Sequence, residues 1–364
     1  KVSAVVETRR EHDFVAKAVL KGLKPETKYT YTVAIDGQEN QAARQHFKTF
    51  NKSGESGKFR LAFGGGAGFV PQHEYVWNTI AATRPDALFQ LGDNVYIDNT
   101  NVMDMHHYCY YRRQSRPEYR SLVAGLSVFS IWDDHDFGTN DCSGGPEIES
   151  PKWKRPTYEI FRDNWANPGY GGGDKQPGIW WDSYINDIHF ICIDGRYYRT
   201  DPKKTKGELS MLGSAQKRWL FSTIKKSKGT FKVLISPVPW VFKAKGDSND
   251  TWNGFQKERN EIFAFLTKNK IKGMVLMSAD RHRSDLWKIE RPGDYALYEF
   301  NSSRLTNQHV HKTMEAAIFS YNAKQSFGTV DFDTIAADPT ATYRIHTIDG
   351  EQVFKHTINL SELN

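Results

Sequence analysis

The chain has 364 residues, 38% of them hydrophobic, with 49 basic against 43 acidic side chains and a net charge of +6. That length holds one large domain or two smaller ones with ample core, and no apolar run approaches the roughly 20 residues that span a bilayer. The basic excess is mild and spread without a Lys/Arg block, which argues against nucleic-acid binding and suits a small anionic ester as substrate.

Residues 1–50 read as β structure. Runs at 14–20 and 28–35 flank a turn around Gly22 and Pro25, and Tyr29, Tyr31 and Val33 alternate with polar residues as one buried face of an antiparallel sheet does. The pattern Leu23-x-Pro25-x-Thr27-x-Tyr29-x-Tyr31-x-Val33 is similar to the strand around the tyrosine corner of fibronectin type III domains. Such a domain takes about seven strands, and only about four fit here, so the expected unit is a partial β-sandwich whose beginning precedes this chain. The first residue is Lys1 and not Met, which points to a removed leading segment and to export.

Residues 51–57 form a polar, Gly-containing linker. From 58 to 364 the pattern alternates strand and helix. Strands are expected at 59–63, 86–91, 127–132, 188–193, 231–236 and 272–278. Helices are expected at 72–83, 105–123, 214–227 and 256–268, and strand-like runs return at 341–348 and 352–358. This rhythm predicts a layered α/β domain.

Three of these strands end alike. Residues 86–91 run into Gly92-Asp93-Asn94-Val95-Tyr96; residues 127–131 run into Trp132-Asp133-Asp134-His135-Asp136-Phe137-Gly138-Thr139-Asn140-Asp141; residues 271–277 run into Ser278-Ala279-Asp280-Arg281-His282. Open α/β folds place their sites outside the carboxyl ends of parallel strands, so these side chains should converge. Four carboxylates within the ten residues from Trp132 to Asp141 repel one another unless cations sit among them. A bound metal is the simplest compensation. A carboxylate can bridge two cations, imidazole suits iron or zinc, and carboxamide oxygen suits a harder ion.

The three cysteines, Cys109, Cys142 and Cys192, lack metal-ligand spacing. Cys192 lies in an apolar run and reads as core; pairing of Cys109 with Cys142 stays open.

The motifs Gly92-Asp93-x-x-Tyr96, Trp132-Asp133-Asp134-His135-Asp136 and Ser278-x-Asp280-x-His282 carry a resemblance. Supporting marks are Asp250-Thr251-Trp252-Asn253-Gly254-Phe255 with Glu258-Arg259, and Ser236-Pro237-Val238-Pro239-Trp240. Together they resemble the PhoD-like alkaline phosphatase/phosphodiesterase family, a branch of the calcineurin-like metallophosphoesterases. The resemblance implies a two-layered α/β sandwich, preceded by a small β domain, in a secreted or periplasmic protein. It also implies a multinuclear centre of iron(III) and calcium. Asp93 would bridge metals; Tyr96, Asp280 and His282 would share one metal with it; Asp134 and Asn140 would face a second. The family's Cys ligand, in a Gly-Ser-Cys step, falls on Gly66 within Phe63-Gly64-Gly65-Gly66-Ala67-Gly68. Loss of that thiolate opens the site to water, a substrate group, or zinc, manganese or calcium, and the glycines offer backbone N–H groups to a substrate oxyanion.

The expected chemistry is hydrolysis of phosphate esters, monoester or diester, by a metal-activated hydroxide in line with the leaving group. No Gly-x-Ser-x-Gly elbow or phosphate-binding loop is present. His135 is the candidate for protonating the leaving alkoxide, with an orienting role toward Asp133 or Asp136 as the alternative. Arg281 is the candidate clamp for a non-bridging oxygen, ahead of Arg112, Arg113 and Arg116. Trp165, Trp180, Trp181, Trp240, Trp252 and Tyr170 either line an organic leaving-group pocket or fill the core. Two other readings compete: a related hydrolase shifted to phospholipid head groups or sulfate esters, and a non-catalytic binding protein with a degenerate site. The sequence leaves the oligomeric state open.

Overall fold

The computed structural model describes residues 2–39 and 44–364. Two mixed sheets carry the chain. The first runs, in spatial order, Gln352–Asn359, Thr340–Thr347, Ser326–Asp333, Lys58–Gly64, Ala87–Leu91 and Ser127–Ile131. Its last three strands are parallel, and the other three pair antiparallel. The second runs Phe319–Tyr321, Ser284–Arg291, Asp294–Asn301, Met274–Ser278, Lys232–Ile235, Ile188–Cys192 and Trp181–Ile185. The middle four of that order, from Asp294–Asn301 to Ile188–Cys192, are parallel.

The sheets face each other. Phe89 and Phe190 meet across the interface with ring centres 4.8 Å apart, and Phe231 and Phe332 at 5.5 Å. The central strands of the second sheet bury both faces, which is why they read as unbroken apolar runs. Phe190, Val233, Val275 and Met277 point toward the first sheet. Their neighbours Ile191, Leu234 and Leu276 pack against Leu220, Ile224, Ile262 and Leu266 of the helices Gly213–Lys226 and Gln256–Lys268. On the outer face of the first sheet, Trp77 meets Tyr119 edge-on at 5.0 Å, and the Tyr119 hydroxyl donates to Gln90 Oε1. The order is helix, sheet, sheet, helix. Parallel strands in both sheets deliver their carboxyl ends to one edge, and the site lies there.

The expected strands of the α/β region are present, with helices at Val76–Ala82, Gly213–Lys226 and Gln256–Lys268. The helix expected over 105–123 is two, Met103–Gln114 and Pro117–Val123, because Pro117 disfavours the helical conformation at Arg116, which is extended. The strand expected over 14–20 is absent. Asp13 and Phe14 have positive φ, Phe14 and Val19 are exposed, and among the described residues no partner strand lies beside them. Residues Lys28–Tyr31 pair with Gln45–Lys48, and the Lys24 backbone N–H donates to the Tyr29 hydroxyl at 2.7 Å. Tyr31 in turn donates to the Ala124 carbonyl, tying this hairpin to the larger body.

Candidate metal centre

Each acidic motif sits one to three residues beyond a strand. Gly92, at φ +102°, lets the end of Ala87–Leu91 pass Asp133; a Cβ there would lie 2.6 Å from the Asp133 Cβ. Asp93, Asp280 and His282 then adopt left-handed backbone at φ +51°, +62° and +47°. Such positions cost on the order of 1 kcal/mol or more each and persist where surrounding structure over-determines them, commonly at functional sites.

Two of the three strand ends bring ligand atoms together, while Asp280 and His282 of the third belong to neither group. Ligand atoms of Asp93, Asp134 and His135 lie within 4.8 Å of one another, as do those of Asp134, Asp141 and Asp250. The Tyr96 hydroxyl donates to Asp93 Oδ2 at 3.0 Å and accepts from Asn307 Nδ2 at 2.5 Å. Asp93 Oδ1 and Asp133 Oδ2 are buried without a hydrogen-bond partner. Burial, followed by the charges of Asp134, Asp133, Asp136 and Asp280, pushes the Asp93 carboxyl well above the usual carboxylate range. A dry carboxylate oxygen with no donor, set among like charges, is costly unless a cation completes it. The donor set, mostly carboxylate with one phenol and imidazoles, fits hard and borderline cations.

Part of the acidic charge is matched by cations that sequence reasoning missed. Arg196, fully buried, contacts Asp133 at 2.6 Å, Asp250 at 2.8 Å and Asp134 at 3.9 Å. Arg199 adds a contact to Asp250 at 2.9 Å. Lys245 Nζ lies 3.0 Å from Asp250, 3.3 Å from Asp141 and 4.0 Å from Asp280. Arg196 and Arg199 follow the strand Ile188–Cys192, so the rule that flagged the acids, a polar residue just beyond a buried strand, would have found them.

His135 and His282 differ sharply. His135 stacks on Tyr96 with ring centres 4.3 Å apart, and its Nδ1 is 2.5 Å from Asp98 Oδ1. Burial alone would lower its pKa, but the Asp98 bond and the charges of Asp134, Asp98 and Asp133 prevail and raise it to about 9. The orienting partner is Asp98, not the expected Asp133 or Asp136. Asp136 instead accepts from the backbone N–H groups of Asp133, Asn94 and Val95, closing the turn. His282 is buried, its Nδ1 has no partner, and burial lowers its pKa to about 3, so the ring is neutral.

Other expected residues fall differently. The Gly66 N–H donates to the Gly92 carbonyl at 3.3 Å, so it is not a free oxyanion donor. Arg281 is buried and donates from Nη1 to Asp280 at 3.0 Å, leaving Nε unpartnered. Asn140 is exposed, one residue before Asp141, whose N–H donates to Asp134 Oδ2 at 2.6 Å. Arg113 is a buried partner of Glu74, while Arg112 and Arg116 stack over Phe69. Trp165, Trp180, Trp181, Trp240 and Trp252 are buried and Tyr170 partly so, and Trp240 stacks on Trp252 at 4.5 Å: these fill core. All three cysteines are free, and Cys192 is fully buried.

A family model of PhoD-like phosphatases matches residues 174–347. Alkaline phosphatase D of Bacillus subtilis (strain 168) is 25% identical over 329 residues, covering 74% of this chain and 56% of that protein. This chain therefore spans little more than half the length of that relative. The solved structure of PhoD superposes with a TM-score of 0.75 at 16% identity, covering 93% of this chain and 75% of that one. The purple acid phosphatase PPD1 from yellow lupin (Lupinus luteus) superposes at 0.64 with 14% identity, over 93% and 61%. These likenesses establish a metallophosphoesterase-type fold.

Proposed function

We propose that the chain is a PhoD-like phosphatase and hydrolyses small phosphate esters with metal ions held at the strand ends. The observation that carries this reading is Asp93: buried, unpartnered at Oδ1, and surrounded by Asp134, Asp133, Asp136 and Asp280. Asp93, Tyr96, Asp280 and His282 would hold one cation and Asp134 a second, with Asp141 and Asp250, whose ligand atoms lie within 4.8 Å of those of Asp134, beside it in place of the exposed Asn140. Iron(III) with calcium is the proposed set, zinc or manganese the substitute where Gly66 stands for a Cys ligand. Such cations supply a hydroxide nucleophile and neutralise charge developing on the phosphoryl oxygens.

The protein's own groups do the rest. His135, held by Asp98, which helps keep it protonated beforehand, would deliver its proton to the leaving oxygen and become neutral. Arg281, with Nε unpartnered, turns toward a non-bridging oxygen. Asn307 orients the Tyr96 phenol. We assign residues 58–364 to this hydrolase unit, 51–57 to a linker and 1–50 to a partial β-sandwich, and place the protein outside the cytoplasm, secreted or periplasmic.

The test pairs elemental analysis of chelator-free protein with turnover of p-nitrophenyl phosphate and bis-p-nitrophenyl phosphate. At least two metals per chain and turnover of one substrate are expected. Less than one metal per chain, or no hydrolysis of any phosphate ester, sinks the reading. A visible tyrosinate band that disappears in Tyr96→Phe identifies iron(III); active, colourless protein identifies another metal.

A further inference from the structure

The loop beyond Arg304 carries two histidines that the hydrolytic reading leaves unused. His309 and His311 face each other with Nε2 atoms 3.1 Å apart and ring centres 4.7 Å apart. His311 Nδ1 is 2.9 Å from the Arg281 carbonyl oxygen. A carbonyl only accepts, so Nδ1 carries the proton and Nε2 keeps its lone pair. The loop is fixed in place: the His309 N–H donates to Asn307 Oδ1, Asn322 Nδ2 to the His311 carbonyl, and Gln325 Nε2 to the Asn307 carbonyl. Neither ring belongs to the groups of convergent carboxylates.

We infer that His309 and His311 form a transition-metal site separate from the acidic centre, taking a borderline divalent ion such as zinc through their two Nε2 atoms. Two imidazoles on one tetrahedral zinc, each about 2.0–2.1 Å from the metal, hold their nitrogens about 3.3 Å apart. The pair is preset close to that spacing. The Nδ1-to-carbonyl bond of His311 is the outer contact that fixes tautomer and ring plane in metal-ligating histidines. His282 stands beside the pair, with ring centres 5.0 Å from His309 and 5.3 Å from His311. The remaining coordination positions are left for water or a ligand oxygen, and His309 is exposed to admit them.

The test counts zinc per chain in the whole protein after saturation with zinc alone. His309→Ala with His311→Ala should hold about one equivalent less than wild type, and Asp93→Asn should keep that equivalent. Equal zinc in wild type and a cooperatively melting double variant overturns the inference, as does an Asp93→Asn protein whose zinc count falls no further when both histidines are also replaced. If the double variant does not fold, the wild-type imidazole ¹⁵N signals decide. Zinc should shift the Nε2 resonances of both rings, and unmoved resonances overturn the site. Zinc bound here in a protein that cleaves no ester would leave this inference standing and remove only the hydrolase reading.

Discussion

Arg196 Nε donates to Asp133 Oδ1 at 2.6 Å, joining the end of a strand in one sheet to the end of a strand in the other. Asp133 follows Ser127–Ile131, and Arg196 follows Ile188–Cys192. The same guanidinium reaches Asp250 at 2.8 Å, so one fully buried cation holds together the edge at which the acidic groups gather.

Removing that cation should be severe. Arg196→Met leaves Asp133 and Asp250 buried with less compensation, and breaking a buried pair from one side costs about 3–5 kcal/mol. Urea denaturation should show a loss of that order. Arg196→Lys should rescue only part of it, since one ammonium cannot match the guanidinium's fork. A loss below about 1 kcal/mol in Arg196→Met would show that water or Lys245 takes its place.

Asp93→Asn should abolish turnover and lower metal content, because it removes a buried charge, unpartnered at Oδ1, from the proposed centre. Chelation of wild type should lower Tm, since Asp93, Asp134 and Asp280 then repel without neutralisation. A Tm unchanged by chelator would argue that Lys245 and Arg196 alone stabilise the cluster.

If His135 is a general acid, His135→Ala should slow alkyl phosphate esters by about 10²–10⁴-fold while p-nitrophenyl esters, whose leaving group departs unprotonated, lose much less. Asp98→Asn should act in the same direction, by removing the partner that helps hold the His135 pKa up. Equal losses on both substrates would reduce His135 to an orienting or metal-binding role.

Gly66→Cys should not restore the family's thiolate. Gly66 has φ +70°, and a Cβ there would stand 3.0 Å from the Arg304 backbone nitrogen and 3.2 Å from Ser303 Oγ. Left-handed backbone costs a non-glycine residue about 1–2 kcal/mol, so thermal unfolding should move down. A variant as stable as wild type that gains a thiolate–metal band would refute this.

Two histidines away from the acids, His106 buried and His346 half-buried, should set an acid limit. Burial holds the pKa of His106 and of His346 down to about 4. The unfolded chain, with His near 6.5, binds more protons below that pH, so their contribution is complete above about 6.5 and is lost as pH falls toward 4. His106→Gln should flatten the stability profile between those values. An unchanged slope would show that other groups dominate it.

The sequence by itself determined the alternating strands and helices and the acidic strand ends, because burial on both faces leaves continuous apolar runs and sites form where such strands stop. It also marked Asp93, Tyr96, Asp134, Asp280 and His282 by spacing from those runs. Tertiary structure decided the rest. Asp98 and Asn307 lie in loops, and Lys245 in the short strand Ala244–Asp247; none carries a periodic signature, and such side chains acquire partners only when distant segments are placed. Arg196, Arg199 and Asp250 were visible as residues but not as a network, since ion pairs spanning 54 and 63 positions leave no local trace. Gly66 is the clearest case: its letter suggested an opened ligand position, whereas its φ and the Arg304 backbone beside it make it a packed turn.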